Sequence, residues 1–261
     1  MAESFPAIFV SHGAPLLAIQ PGPAREFLSG LGRTLGKPTA ILTVSAHWES
    51  GEAAVSAAAR PETIYDFYGF PDELYRIEYP APGAPELAAR VKAMLGEKGI
   101  GARVHPARGL DHGAWVPLML MYPDADVPAT QLTVQTALGT VHHVKLGDAL
   151  RGLRDEGVLI LGSGGATHNL REFGRYPEGT APPQWVTDFQ EWLAQTIESG
   201  KSDDLVRYRS IAPEAAHNHP TEEHFLPLFV AAGAGSPGVA GKRIHRSHTF
   251  GILAMDAYRF D

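Results

Sequence analysis

Short runs of apolar, largely β-branched residues punctuate the chain at Ala7 to Ser11, Ala40 to Ala46, Ala129 to Val134 and Gly157 to Gly162. Runs of this length without polar alternation are the pattern of strands buried on both faces, as in a parallel sheet. Between them, Ala24 to Leu35, Pro85 to Lys98, His142 to Arg154 and Pro183 to Ser199 carry apolar residues three or four positions apart, the spacing of one helix face. Pro85 followed by Glu86 suits a helix N-terminus. The alternation predicts an α/β fold with a central, largely parallel sheet flanked by helices. Pro- and Gly-rich stretches near 79 to 85, 177 to 183 and 233 to 241 are short enough to be surface loops, and no repeat or long linker interrupts the pattern.

A chain of 261 residues is long enough for one large domain, so 1–261 is expected to be a single catalytic unit. Its 44% hydrophobic and 20% charged residues are ordinary for a soluble globular protein. No run of about 18 apolar residues could cross a bilayer. The N-terminal stretch carries Glu3 where a secretory signal would carry positive charge, which makes a cytoplasmic location the expectation. The net charge of −7, with Lys and Arg scattered singly, argues against a nucleic-acid partner. There is no cysteine, which excludes disulfides, thiolate metal sites and cysteine nucleophiles, and any metal must sit on nitrogen or oxygen.

What stands out is twelve histidines, several of them beside Gly, Ser or Pro at the ends of apolar runs. His12 follows the first predicted strand and is itself followed by Gly13, and His47 holds the same kind of position after the second. In an open parallel sheet ligands gather beyond the carboxyl ends of strands, so the two imidazoles are expected in one crevice. His168 follows an apolar strand and a Gly-rich turn, GSGG, that lacks both the Lys-Ser/Thr ending of a P-loop and the spacing of a dinucleotide fingerprint. The turn is therefore expected to let backbone approach a metal or substrate, with no nicotinamide or flavin involved. His224 falls in HPTEEHFLPLF, read as a helix with Pro220, Glu222 and Glu223 in its first turn; on that reading His224 shares a face with Leu228. His112, between Asp111 and Gly113, marks a tight polar turn leading into a buried helix or strand. His142 and His143 read as the solvated face of an amphipathic helix. His105, His217, His219, His245 and His248 are individually uninformative, although His219 is near enough to His224 to be an alternative ligand.

Taken in order, SHGAP, SAHWE, IYDFYGFPDELYRIEYPAPG, LDHGAWVPL, GSGGATHNL and HPTEEHFLPL resemble the class III extradiol dioxygenases, in particular the 4,5-DOPA dioxygenase subfamily. The similarity runs from about residue 7 to the final MDAYRF. The resemblance implies a non-haem metal at one edge of the sheet and cleavage of a catechol-type aromatic with O2 to a muconic semialdehyde. It makes His12, His47 and His224 metal ligands. His168 is then either a fourth ligand or the acid/base residue, and His112 holds the substrate hydroxyl or the bound oxygen. One divalent metal per chain is implied, Fe(II) for turnover or Zn(II) as isolated, because an all-nitrogen site suits either. Better-known members complete the ligand set with a carboxylate, whereas Glu222 and Glu223 here are neighbours of His224 and not obvious ligands.

Such chemistry needs a ferrous ion with open positions for both catechol oxygens and O2, and a neutral histidine, of unperturbed pKa about 6.5, to take the catechol proton. That role falls to His168, and Phe67, Tyr68 and Phe70 are candidates to wall the aromatic ring. Two other classes compete. A zinc hydrolase would use the same imidazoles to activate water, with Glu222 or Glu223 as base, but no HExxH helix is present. A non-catalytic interaction protein on the same fold would keep the histidines without turnover.

Overall fold

The four apolar runs lie side by side at the centre of one eight-stranded sheet. A computed structural model describes residues 4–176 and 179–261, so the predicted loop at 177 to 183 begins outside the described residues. Strands β1 (Ala7–Ser11), β2 (Ala40–Glu49), β3 (Ala53–Ser56), β4 (Ala102–His105), β5 (Ala129–Val134), β6 (Val158–Gly164), β7 (Lys242–His245), β8 (His248–Thr249), β9 (Leu253–Ala254) and β10 (Ala257–Phe260) occur in that order along the chain. The large sheet has the order β4-β3-β5-β2-β6-β1-β10-β7, and β8 pairs with β9 separately. The central four, β5-β2-β6-β1, are parallel, while β10 joins β1 antiparallel and β7 joins β10 antiparallel. On the opposite side β3 meets β5 antiparallel and β4 runs parallel to β3. The sheet is thus parallel at its core and mixed towards its edges.

Burial on both faces explains the apolar runs. Alternate residues of β1 point to opposite sides: Phe9 joins a core with Leu42, Ile160 and Phe229, whereas Ile8 and Val10 join a second core with Ile41, Leu161 and Trp115. Helices α1 (Pro23–Leu35), α2 (Pro85–Glu97), α3 (His112–Met121), α4 (Gly139–Leu150) and α5 (Gln184–Glu198) supply much of the covering layers, with a further helix at Leu226–Ala234. The other four strands of the large sheet, β3, β4, β7 and β10, and the separate pair β8 and β9, are short and go unread by the pattern. β4 is largely exposed and β7 mostly half-buried, so neither has an apolar run to show. The helix predicted from His142 to Arg154 starts earlier, at Gly139, and passes at Arg151 into a 3-10 turn that closes at Gly157, whose φ of 80° favours glycine.

Two expectations are corrected. Pro220, Glu222, Glu223 and His224 lie in a turn ahead of the helix that begins at Leu226, because the His224 carbonyl accepts a hydrogen bond from the Gly165 amide (2.8 Å) across to β6 instead of one from its own helix. His143 is not solvated: it is buried, its Nδ1 bonds the Gly139 carbonyl (2.7 Å) and its Nε2 accepts from the Gln135 amide (3.1 Å), which pins the turn between β5 and α4.

The glycines of β6 serve packing of backbone on backbone. A Cβ at Gly162 would overlap the Pro227 carbonyl and one at Gly164 would overlap the His224 carbonyl, so these glycines bring the last helix and its leading turn directly onto the sheet. Among the described residues no helix is long and apolar enough to cross a membrane.

Two glycine substitutions separate packing from propensity. Gly162→Ala is expected to lower unfolding stability by about 1–3 kcal/mol through overpacking. Gly30→Ala, in α1 with nothing within 4 Å of the added Cβ, should raise it by about 0.5–1 kcal/mol. Denaturant titrations of both variants check the pair, and equal effects would contradict the packing described for β6.

Candidate metal centre

The parallel arrangement brings strand ends to one edge of the sheet, and the histidines with them. His12 directly follows β1, with its amide bonded to the Gly164 carbonyl of β6 (2.9 Å). His47 lies near the end of β2, where the pairing with β5 shifts register between Val44 and Glu49. That irregularity lets β2 turn its terminal side chains away from the ladder. His168 follows β6, and His112 opens α3 behind Asp111, whose side chain caps the helix by accepting from the Ala114 amide (3.2 Å). Gly113 is required next to it: a side chain there would run into Ser45, His47 and His12. His224 is set by the turn that Gly164 and Gly165 admit.

Three imidazoles converge. The Nε2 atom of His47 lies 3.0 Å from that of His12 and 3.3 Å from that of His224. Each ring is anchored through its other nitrogen. His12 Nδ1 is 3.0 Å from Ser163 Oγ, whose own proton goes to the Gly113 carbonyl, so the histidine donates. His224 Nδ1 donates to Glu223 Oε1 (3.0 Å), and His47 Nδ1 stands 3.3 Å from Asp66 Oδ2. With the Nδ1 protons of His12 and His224 committed to hydrogen bonds and a carboxylate facing Nδ1 of His47, the three Nε2 atoms turn lone pairs towards one another, an arrangement that repels unless a cation lies between them. Bonds of about 2.0–2.1 Å from imidazole nitrogen to a metal put neighbouring ligand atoms about 3.0–3.4 Å apart, so the spacing fits one metal ion.

Electrostatics favour the same state. Burial and the neighbouring imidazoles hold His12 and His224 well below the ordinary histidine pKa. Burial and His112 bring His47 down to about 3 against the opposing pull of Asp66 and Glu223. The rings are therefore neutral at pH 7, the form that binds metal. His168 is brought down to about 4 by burial, with Glu223 opposing.

His168 is placed beside this group and not within it. Its ring stacks on His224 with centroids 3.4 Å apart and planes 10° from parallel, and its nitrogens cluster with Glu223 and His224 but not with His12 and His47. His112 sits on the other side, its ring centroid 4.0 Å from that of His47. Its Nδ1 and its amide both donate to Asp66 Oδ1, each at 2.9 Å. Burial would raise the Asp66 carboxyl, but the His112 hydrogen bonds and the nearby imidazoles outweigh it and take the pKa down to about 2. Beneath them Asp111 is fully buried, accepting from Ser45 Oγ (2.6 Å) and Gln131; its pKa is pushed up by burial first and then by Asp66.

His47, Asp66, His112, His168 and His224 line a cavity of about 460 Å³, with Phe67, Tyr68, Phe70, Phe173 and Phe250 on the walls; His12 lies behind them, lining a small adjoining pocket that also reaches His168. The aromatic residues singled out in DFYGFP thus face the site, Tyr68 as an exposed side chain at its mouth. His219 does not: it is buried against Phe225 with Nε2 on the Ala166 carbonyl (3.0 Å). Glu222 accepts from the Tyr208 hydroxyl (2.7 Å), and Glu223 accepts from His224 Nδ1 while gathering with His168 and His224 as a second possible ligand group. Asp66, Ser163 and Phe250 escape the sequence reading. The signal for Asp66 is a lone acid set between Tyr65 and Phe67, where an unpaired carboxylate would be costly.

Comparison with known proteins finds relatives over nearly the whole chain. The family described as the catalytic LigB subunit of aromatic ring-opening dioxygenase matches residues 6–257. A 4,5-DOPA dioxygenase extradiol of Beta vulgaris is 45% identical over 256 residues, covering 97% of this chain and 95% of the relative. The protein of the same description in Escherichia coli is 38% identical, covering 88% and 84%. A crystal structure of an uncharacterized protein from Escherichia coli K12 superposes with a TM-score of 0.81 at 32% identity, covering 98% of this chain and all of the other. With the fold, the near full-length matches and the histidine cluster in agreement, the chain belongs to the LigB family of aromatic ring-opening dioxygenases, the class III extradiol enzymes, within the 4,5-DOPA dioxygenase subfamily.

Proposed function

We propose that this extradiol dioxygenase opens the ring of a small catechol resembling 4,5-DOPA, giving a muconic semialdehyde, with one metal ion held by the Nε2 atoms of His12, His47 and His224. The convergence of three Nε2 atoms at 3.0 and 3.3 Å, with His47 and His224 reaching into an aromatic-walled cavity, carries this reading. When bound, Fe(II) supplies a centre that takes both catechol oxygens and O2 and passes electron density between them. Zn(II) fits the same three nitrogens but has no redox chemistry, so it is the ion expected in protein isolated without added iron.

The chain's own residues then do three things. Phe67, Phe70, Phe173 and Phe250 wall a slot suited to one aromatic ring and keep water from it. His168 takes the proton that the catechol hydroxyl must lose: it is neutral at pH 7, lines the cavity and is held flat against His224. His112 has Nδ1 committed to Asp66, which leaves Nε2 to meet the substrate hydroxyl or return a proton as the ring opens.

The activity itself is tested by loading metal-free protein with Fe(II) under anaerobic conditions and measuring oxygen uptake over a panel of catechols. Consumption of one O2 per catechol, without NAD(P)H and absent in the Zn(II) form, is expected. Turnover that requires NAD(P)H would contradict the reading, and hydrolysis by the Zn(II) form would favour a hydrolase.

The assignment of histidines is tested on variants. Replacing His168 by Gln should leave most of the metal in place and slow turnover by about 10²- to 10⁴-fold, the usual loss for a general acid/base. Replacing His224 by Ala should remove metal and activity together. Equal metal loss in both, measured on folded protein, would make His168 a fourth ligand.

A further inference from the structure

Asp66 stands where the metal site and the substrate cavity meet. Its Oδ2 faces Nδ1 of His47 at 3.3 Å, while its Oδ1 takes both the amide and Nδ1 of His112 at 2.9 Å. The two imidazoles, 4.0 Å apart between centroids, thus both face one carboxylate, His112 through two hydrogen bonds and His47 across an ion-pair contact. We propose that Asp66 is a positioning residue that couples metal affinity to the handling of substrate, by fixing at once the tautomer of the ligand His47 and that of His112. The proposal rests on His12, His47 and His224 forming the metal site.

The carboxylate is held firmly enough for this task. The loop that carries it is tied to the segment leading into α3: the Ile64 amide donates to the Leu110 carbonyl (2.8 Å), and Trp115 Nε1, inside α3, donates back to the Ile64 carbonyl (3.0 Å). Phe67 packs edge-on against the His112 ring at 5.7 Å between centroids. These contacts tie the loop that carries Asp66 to the start of α3 and to the aromatic wall of the cavity.

Only a carboxylate satisfies both rings. Each histidine must donate from Nδ1 if its Nε2 is to keep a lone pair for metal or substrate, so Asp66 has to accept at both oxygens. An amide of the same shape offers one acceptor and one donor. Whichever ring meets the NH2 group must turn over or change tautomer, and its Nε2 is lost to the site.

Asp66→Asn is close to isosteric, and its effects should separate by background. Zn(II) affinity, measured by competition with a chelator, is expected to fall about 10- to 100-fold, as for removal of other groups that orient a metal-binding histidine. At saturating Fe(II), kcat/KM should fall as well. In a His112→Ala background, Asp66→Asn should still weaken Zn(II) binding but cost kcat/KM at saturating Fe(II) little more, because the second of its two partners is gone. Asp66→Glu, which keeps both acceptors, should recover part of the Zn(II) affinity. Wild-type affinity in Asp66→Asn, or losses of kcat/KM that simply add in the double variant, would overturn the proposal. So would a large drop in Tm for Asp66→Asn and Asp66→Glu alike, which would mark a folding role. His12→Ala serves as the reference: if it too keeps wild-type Zn(II) affinity, the metal site itself is wrong, whereas loss in His12→Ala alone condemns only the role of Asp66.

Discussion

Three imidazole nitrogens with their lone pairs turned towards one another cannot stay at 3.0 and 3.3 Å for their own sake. Something must hold the rings from behind and something must be gained in front. The holding comes from Ser163 on β6 and Glu223 in the turn before the last helix, hydrogen-bonded to Nδ1 of His12 and His224, and from the Asp66 carboxylate, on the loop beyond β3, which faces Nδ1 of His47. These anchors are distant in sequence, so the site exists only when the sheet, the loop and the last helix are assembled. Burial adds to the effect by keeping the rings unprotonated at neutral pH. A cation is the natural partner for such a cluster.

The fold supplies what this arrangement requires. Four parallel strands end at the same edge, which brings His12, His47 and the segment leading to His168 together without long side-chain reach. Gly162 and Gly164 allow the backbone around His224 and Pro227 to lie directly on β6, which delivers the third imidazole from a segment more than fifty residues further along the chain. Gly113 likewise clears space for His12 and His47 beside α3. The same backbone approaches that tighten the core thus set the distances in the site.

Much of this was legible in the residue pattern. The buried central strands announce themselves as apolar runs, and His12 and His47 stand immediately after or near the end of two of them. The residue pattern also raised His168, His224 and His112, and the resemblance to extradiol enzymes supplied their roles. What stayed hidden depends on contacts between distant segments. Edge strands such as β4, largely exposed, and β7, mostly half-buried, carry no run of apolar residues. The apparent helix around His224 fails because its carbonyl is taken by Gly165 sixty residues earlier, a bond with no local trace. His143, which sits in a helix-like polar pattern, is buried because a strand end and a turn claim both its nitrogens. Asp66 lies in an aromatic loop with no periodicity, and its purpose shows only when His47 and His112 arrive on either side.

The central claim is that one cation sits among three Nε2 atoms, and its most direct test is the position of the metal itself. An anomalous difference map from crystals loaded with Zn(II), collected at the zinc edge, should place a single peak about 2.0–2.1 Å from Nε2 of His12, His47 and His224, with Asp66 and Glu223 still on the Nδ1 atoms. A peak instead between His168, Glu223 and His224, where three other potential ligand atoms also gather, or one coordinated by Asp66, would contradict the account.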